Sequence, residues 1–338
     1  MYSLKHDVTV CSSCPTVDCL VKCQYIKADK ETAREEMVKI GNGDNSFLLE
    51  ECVCCYGCEE YCQKGNHPCF LISEQREAKG ILTSPRPITD HFIMFGIPHG
   101  DYEQGEIKEV ALSKCYAEPL KEIASGKLFD DIASSYVAGD EVMCPPVYLH
   151  FGKTSVIKER LPRLINKIHG LGIKKLICLH DECYGAYTSL ASSFGMDVPF
   201  EPVHYMEHVF NRLKELDGEI TPLKCSAVYQ RPCSSRLSPE MHHFVKDICD
   251  LIGVKLLQRK YQDENSLCCG EPLRVADFYE TANDVQQKNL SDMVAAQPDY
   301  CIFNCFACQE ALGEKVSKRG ITPIHIINLV RMALNEPV

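Results

Sequence analysis

The chain has no tryptophan, no tract of basic residues and no apolar run long enough to cross a bilayer. Each absence closes a class. Nucleic-acid binding needs lysine and arginine to displace phosphate counterions, and a formal net charge of -11 points the other way. No glycine-rich dinucleotide fingerprint follows any apolar strand, so flavin or NAD is expected on another subunit. The residues start MYSLKHDVTV with no apolar leader, so a cytoplasmic setting is expected, any membrane attachment coming through a partner.

What the chain has in excess is cysteine, 22 in 338 residues. In a reducing compartment that abundance reads as metal binding rather than disulfides. An acidic surface suits redox partners without selecting one.

Five cysteines near the C-terminus organise the reading: Cys233, the pair Cys268 and Cys269 followed by Gly270, and Cys305 with Cys308. Residues so far apart act at one site only if an α/β fold brings three loop tips together. Neighbouring side chains of extended backbone point apart, so both thiolates of the pair face one centre only across a sharp turn, which Gly270 permits. Thiolates favour zinc, cuprous copper and iron-sulfur centres. Five are one too many for tetrahedral zinc and suit a larger or irregular iron-sulfur cluster. The order single Cys, Cys-Cys-Gly, Cys-x-x-Cys resembles the CCG domain of the heterodisulfide reductase B and D subunits, a family that includes electron-transfer subunits of several oxidoreductases. The resemblance implies a non-cubane 4Fe-4S cluster on Cys233, Cys268, Cys269, Cys305 and Cys308, able to react with a disulfide or thiol.

Near the N-terminus Cys52, Cys55, Cys58 and Cys62 have the spacing Cys-x2-Cys-x2-Cys-x3-Cys, in which three thiolates wrap one cubane and the fourth reaches a neighbour. Cys11, Cys14, Cys19 and Cys23 form a similar set with a longer middle gap. Together they resemble a two-cluster ferredoxin, the module found as the heterodisulfide reductase C subunit. By that resemblance Cys11, Cys14, Cys19 and Cys62 hold one 4Fe-4S cubane, and Cys52, Cys55, Cys58 and Cys23 the other. The usual proline after each fourth cysteine is Gln24 or Gln63, which loosens a turn without removing a ligand. Cys54 and Cys69 fall outside the pattern. Between the sets, KADKETAREEMVKIGNG reads as a helix stopped by Gly41 and Gly43.

Residues 81–140 read as a connector, with turns at 83–87 and 96–100 and a helical stretch KLFDDIASSYV; Cys115 reads as structural. Beyond it lies an internal repeat. The segment beginning at Cys144 aligns to that beginning at Cys225, which sets Gly152 in the place of Cys233. His180 then matches Cys305, Cys183 matches Cys308 and His204 matches His325. The first repeat has no Cys-Cys-Gly, so it is expected to keep the scaffold and lack the cluster, with Cys144 in the core and His180 a possible proton donor facing the surviving centre.

Apolar strands (VYLHF, AVYQ, KKLICL, YCIF) followed by helical stretches argue for parallel α/β sheets with ligands at the carboxyl ends of strands. The expected architecture is a mixed α+β and α/β multidomain chain. A ferredoxin-like domain spans 1–80, a connector 81–140, a degenerate CCG-type lobe 141–220 and a complete CCG domain 221–338. The expected function is that of an iron-sulfur oxidoreductase subunit. Electrons would pass from a flavin or iron-sulfur partner through two cubanes to the CCG cluster, then to a disulfide, a thiol or a further redox partner. A true disulfide reductase acting at the CCG cluster and a non-catalytic metal-binding assembly protein are the alternatives.

Overall fold

The computed structural model describes residues 2–94, 100–115 and 123–338. Residues 2–94 form helices without a strand. The longest spans Lys30–Gly41, capped by the Asp29 carboxylate, which accepts the Thr32 backbone N–H at 2.9 Å. Its face of Ala33, Met37 and Ile40 recurs at helical spacing and packs in one apolar cluster with Leu48, Leu49, Leu71 and Ile72. Gly43, at φ +80°, follows its end.

Two sheets follow. The first has five strands: β1 (Glu103–Gln104), β2 (Val110–Cys115), β3 (Tyr136–Ala138), β4 (Lys175–Cys178) and β5 (Glu201–His204), in the order β1-β3-β2-β4-β5. Only β1 runs antiparallel. The second has four parallel strands, β6 (Cys225–Gln230), β7 (Val254–Leu256), β8 (Tyr300–Phe303) and β9 (Thr322–His325), in the order β7-β6-β8-β9. Central strands such as β4 and β8 are buried along most of their length, as parallel strands covered by helices on both faces must be. One apolar core joins the two sheets, since Leu112, Ile177, Ala227 and Ile302 belong to a single cluster.

The sheets share a plan: β4 stands to the first as β8 stands to the second, and β5 as β9. The start of the first lobe differs from expectation. The stretch VYLHF is a helix, Val147–His150, and the strand that occupies the place of β6 is β2. Proline flanks that stretch at 145 and 146; lacking an N–H and fixing φ, it suits a helix start and not a central strand. Gly152 accordingly lies against Arg76 and Ile81, not at the end of a strand. The residues expected to connect domains supply β1, β2 and β3, and KLFDDIASSYV forms turns running into β3 instead of a helix. The turn expected at 96–100 lies almost wholly outside the described residues.

The helices after β5 and β9 start alike. His204 and His325 sit at the N-caps, and each Nδ1 accepts a backbone N–H two residues on, from Met206 and Ile327, at 3.3 Å. His325 is buried, stacks on Phe306 and hydrogen-bonds the Asn304 carbonyl. Burial pushes its pKa from 6.5 down to about 4. The folded chain thus favours the neutral ring: the stabilisation is complete above pH 6.5 and is lost as pH falls towards 4. His150, held to about 4 by burial, acts in the same window. We expect the urea midpoint to fall across that range and His325→Asn, which keeps a capping acceptor, to flatten the fall; an unchanged slope would remove His325 as its source.

Candidate metal centres

The five C-terminal cysteines converge because β6, β7 and β8 are adjacent and parallel, so their carboxyl ends share one edge. Cys233 opens the turn Cys233–Leu237 after β6. Cys268 and Cys269 lie in the loop that follows β7 and precedes the helix Glu271–Val275. Cys305 is the N-cap of the helix Phe306–Ser317 after β8, and Cys308 lies in its first turn. The sulfur contacts form an unbroken chain from Cys233 to Cys268, Cys269, Cys308 and Cys305. All but Cys233 are buried.

Side chains from outside hold the loop of the pair. Gln286 donates to the Cys269 carbonyl and Asn289 to the Cys268 carbonyl, each at 2.9 Å, while the Cys268 N–H donates to the Tyr25 hydroxyl at 3.0 Å. Gly270 turns the chain at φ +94°, where a Cβ would meet Gln286 Cγ at 2.9 Å and the Ala282 carbonyl at 3.1 Å.

The sulfurs of the site divide: hydrogen bonds to their neighbours, with burial, push the Cys268 and Cys308 thiols well above the usual range, while Cys269 and Cys305 are held down. Hydrogen bonds from Cys268 and Cys308 hold the Cys269 thiol well below its usual range. Cys308 and, after it, His180 hold Cys305 down to about 6. His180 comes from the other lobe, at the N-cap of the helix Asp181–Gly185. Burial opposes its charge, yet Cys305 and Glu182 outweigh that and hold it up at about 10. Burial raises Glu182 to about 7. A cavity of about 230 Å³ has His180, Glu182, Cys233, Cys305 and Cys308 in its wall, with Phe92, Phe151 and Phe306 supplying apolar surface.

The N-terminal cysteines divide into two groups across their order in sequence. Burial raises the Cys11 and Cys19 thiols, with further rises from the fields of Cys62 and Cys14, so these four are neighbours. Burial likewise raises Cys52 and Cys55, with Cys23 close to both; Cys58 is raised by its hydrogen bond to Cys69 and by burial, and Cys52 is near it. Cys54 and Cys69, outside either pattern, bring their sulfurs to 3.3 Å.

A second cavity joins the regions, walled by Cys19, Cys23, Cys52, Cys55 and Cys58 on one side and by Cys233 and Cys268 on the other. Beside it two buried arginines converge on one carboxylate: Arg231 reaches Glu60 at 2.9 Å and Arg236 reaches it at 2.7 Å. Arg236 also donates to the Ser266 and Glu264 carbonyls at 2.8 and 3.0 Å, tying the loop of the cysteine pair to the N-terminal helices. One carboxylate does not neutralise two guanidinium groups, and Arg231 Nη2 is buried without a hydrogen-bond partner among the described residues. Sulfur donors beside excess buried positive charge fit an anionic iron-sulfur group.

Two groupings carry no motif in the sequence: the meeting of Cys115 and Cys144, which read there as structural residues, with Cys183, and the clamp of Arg231, Arg236 and Glu60. Cys115 and Cys144 meet Cys183, the three sulfurs lying within 4.8 Å of one another. The first lobe is therefore not bare of thiols. The signal was the run VALSKC, which has the apolar content of a strand and ends on a cysteine, as β6 runs on to Cys233.

The fold and these sulfurs define an α/β cysteine-rich lobe. Residues 227–313 match the family described as the cysteine-rich domain CCG, the domain found in heterodisulfide-reductase-type proteins. Together with the number of cysteines, that match points to an iron-sulfur redox protein. No curated protein matches the chain. Among solved structures it is similar to a hypothetical protein from Helicobacter pylori, at 12% identity and a TM-score of 0.54, covering 95% of this chain and 67% of that one. A Picrophilus torridus aspartate racemase aligns at 9% identity and a TM-score of 0.36, over 67% of this chain and 93% of that one. The first likeness shows the fold alone. No helix among the described residues is long and apolar enough to cross a membrane.

Gly270→Ala places a side chain in a left-handed turn that has no room for it. We expect a loss of roughly 1–3 kcal/mol in unfolding free energy together with loss of iron from the C-terminal site. Wild-type iron content in a folded variant would show that the turn does not set the sulfur positions.

Proposed function

We propose that the chain is an iron-sulfur electron-transfer subunit of a heterodisulfide-reductase-like oxidoreductase complex. In this reading Cys11, Cys14, Cys19 and Cys62 hold one cubane 4Fe-4S cluster, and Cys52, Cys55, Cys58 and Cys23 a second. Cys233, Cys268, Cys269, Cys305 and Cys308 hold a non-cubane 4Fe-4S cluster. The observation that carries it is the cavity whose wall includes cysteines of both N-terminal sets and of the C-terminal site. When bound, such clusters pass electrons one at a time.

The chain's own residues brace and tune the route. Tyr25, and Arg236 through Glu60, hold the N-terminal helices against the loop of the cysteine pair. His180 hydrogen-bonds the Cys305 sulfur, the kind of contact that shifts a centre's potential. The electron donor, a flavin or iron-sulfur subunit, belongs to the same reading, because no dinucleotide fingerprint occurs on this chain.

The cavity beside the C-terminal site favours a second reading, a disulfide reductase in its own right. Its volume of about 230 Å³ admits a thiol-sized group, and His180 and Glu182 stand beside Cys305 as proton donors. Iron and acid-labile sulfide after anaerobic purification are expected at about twelve each per chain, the yield of three 4Fe-4S centres. Zinc without sulfide would leave only a metal-binding scaffold. A paramagnetic signal of the oxidised protein that changes on adding a thiol favours the reductase, and indifference favours the relay.

A further inference from the structure

We propose that the first lobe holds a single tetrahedral zinc-class ion on Cys115, Cys144 and Cys183, with its fourth position turned to the cavity where His180 and Glu182 stand.

The placement of the thiols carries the argument. In the second lobe the cysteines follow three neighbouring strands: Cys233 after β6, the pair after β7 and Cys308 after β8. In the first lobe Cys115 ends β2, Cys144 follows β3 and Cys183 follows β4, the strands that hold the corresponding places. Both lobes thus bring sulfur to the carboxyl edge of the same three positions, although their sequences there are unlike.

The three sulfurs fit one ion, and Cys144 is shared with a second group of donors on the cavity side. The sulfurs of Cys115, Cys144 and Cys183 lie within 4.8 Å of one another, and so do the donor atoms of Cys144, His180 and Glu182. Tetrahedral zinc with Zn–S near 2.3 Å sets its sulfurs about 3.8 Å apart, inside that limit. All three thiols are buried, at 3% exposure for Cys115 and Cys144 and 0% for Cys183. The backbone departs from a plain strand to place the first of them. The register of β2 against β3 shifts between Ser113 and Cys115, and Cys115 adopts φ +52°, a left-handed conformation uncommon for a side chain with a Cβ. A cysteine present only as a small apolar filler needs no such turn.

Of the two side chains that share Cys144 as a neighbour, His180 suits the fourth position better; its ring nitrogen is not within 4.8 Å of all three sulfurs, so binding swings it towards them and displaces its proton. Three thiolates already leave a zinc site with one net negative charge, and a neutral imidazole adds none, whereas the Glu182 carboxylate would add another in a buried setting. His180 also contacts Cys305, so one residue would stand between the zinc site and the C-terminal centre. Binding displaces the thiol protons, so affinity rises with pH.

The test uses the full chain purified anaerobically, with zinc, iron and sulfide measured on the same sample. One zinc per chain is expected beside the iron. Cys144→Ser and Cys183→Ser are each expected to lower zinc at least about tenfold, since removing even the hydrogen-bond partner of a metal ligand costs that much, with iron unchanged. Cys249→Ala, a buried cysteine outside every cluster, is expected to keep both metals. Because misfolding of a serine variant would also lower zinc, the iron-loaded wild-type protein is titrated with cobalt(II) as well. Thiolate-to-cobalt charge transfer with tetrahedral ligand-field bands, reversed by zinc, supports the site. Zinc that persists in both serine variants, absence of zinc together with absence of a cobalt signal, or iron lost in step with Cys144 overturns it. Missing iron with zinc still held by Cys144 and Cys183 would instead defeat the relay reading and leave this one standing.

Discussion

The adjacency of β7, β6 and β8 is the constraint on which the C-terminal site depends. Parallel strands need long crossovers, so consecutive loop tips lie far apart in sequence, yet they emerge along one edge of the sheet. Sulfur placed after each strand therefore arrives at one point without any local motif spanning the site. The remaining work falls to loop chemistry: Gly270 turns the pair, and Gln286, Asn289 and Tyr25 hold its backbone.

Charge is the second determinant. Ionised sulfur gathered in a low-dielectric interior is costly unless positive charge lies near it. The chain supplies that charge with Arg231 and Arg236, both buried, against the single carboxylate of Glu60. On the other flank His180 crosses from the neighbouring lobe to Cys305. Around these contacts a buried polar network joins the lobes: His204 to Asp181 at 3.2 Å, Asp181 to Asn304 at 3.1 Å, and Asn304 to Tyr229 at 2.9 Å. Gly185 allows close approach beside it, since a Cβ there would stand 2.8 Å from Leu237 Cβ.

Much of this was legible in the sequence where a pattern had both spacing and period. The grouping of Cys233 with Cys268, Cys269, Cys305 and Cys308 could be read from the motif, and the strands AVYQ, KLIC and YCIF from their apolar runs. The helix Lys30–Gly41 was announced by its composition and its glycine stop. Alignment of the lobes failed at their start because similar letters, Pro-Val-Tyr and Ala-Val-Tyr, adopt different structures. Two prolines bias the first towards a helix start, and strand pairing claims the second. That misplacement hid β2, and with it the meeting of Cys115, Cys144 and Cys183. The arginine clamp was illegible for another reason: Glu60 and Arg236 are joined only by tertiary packing, and no local signal marks a surface charge that becomes buried.

The same clamp bears on how the chain came to be one polypeptide. Were the helical segment and the α/β lobes separate proteins, each would expose half of the contact: two guanidinium groups and the Cys268 N–H on one, the Glu60 carboxylate and the Tyr25 hydroxyl on the other. Such halves would associate through matched charge, yet at low concentration they would drift apart and open their sulfurs to oxygen and water. Joining them in a single chain makes the closure intramolecular and independent of how much of either half the cell produces.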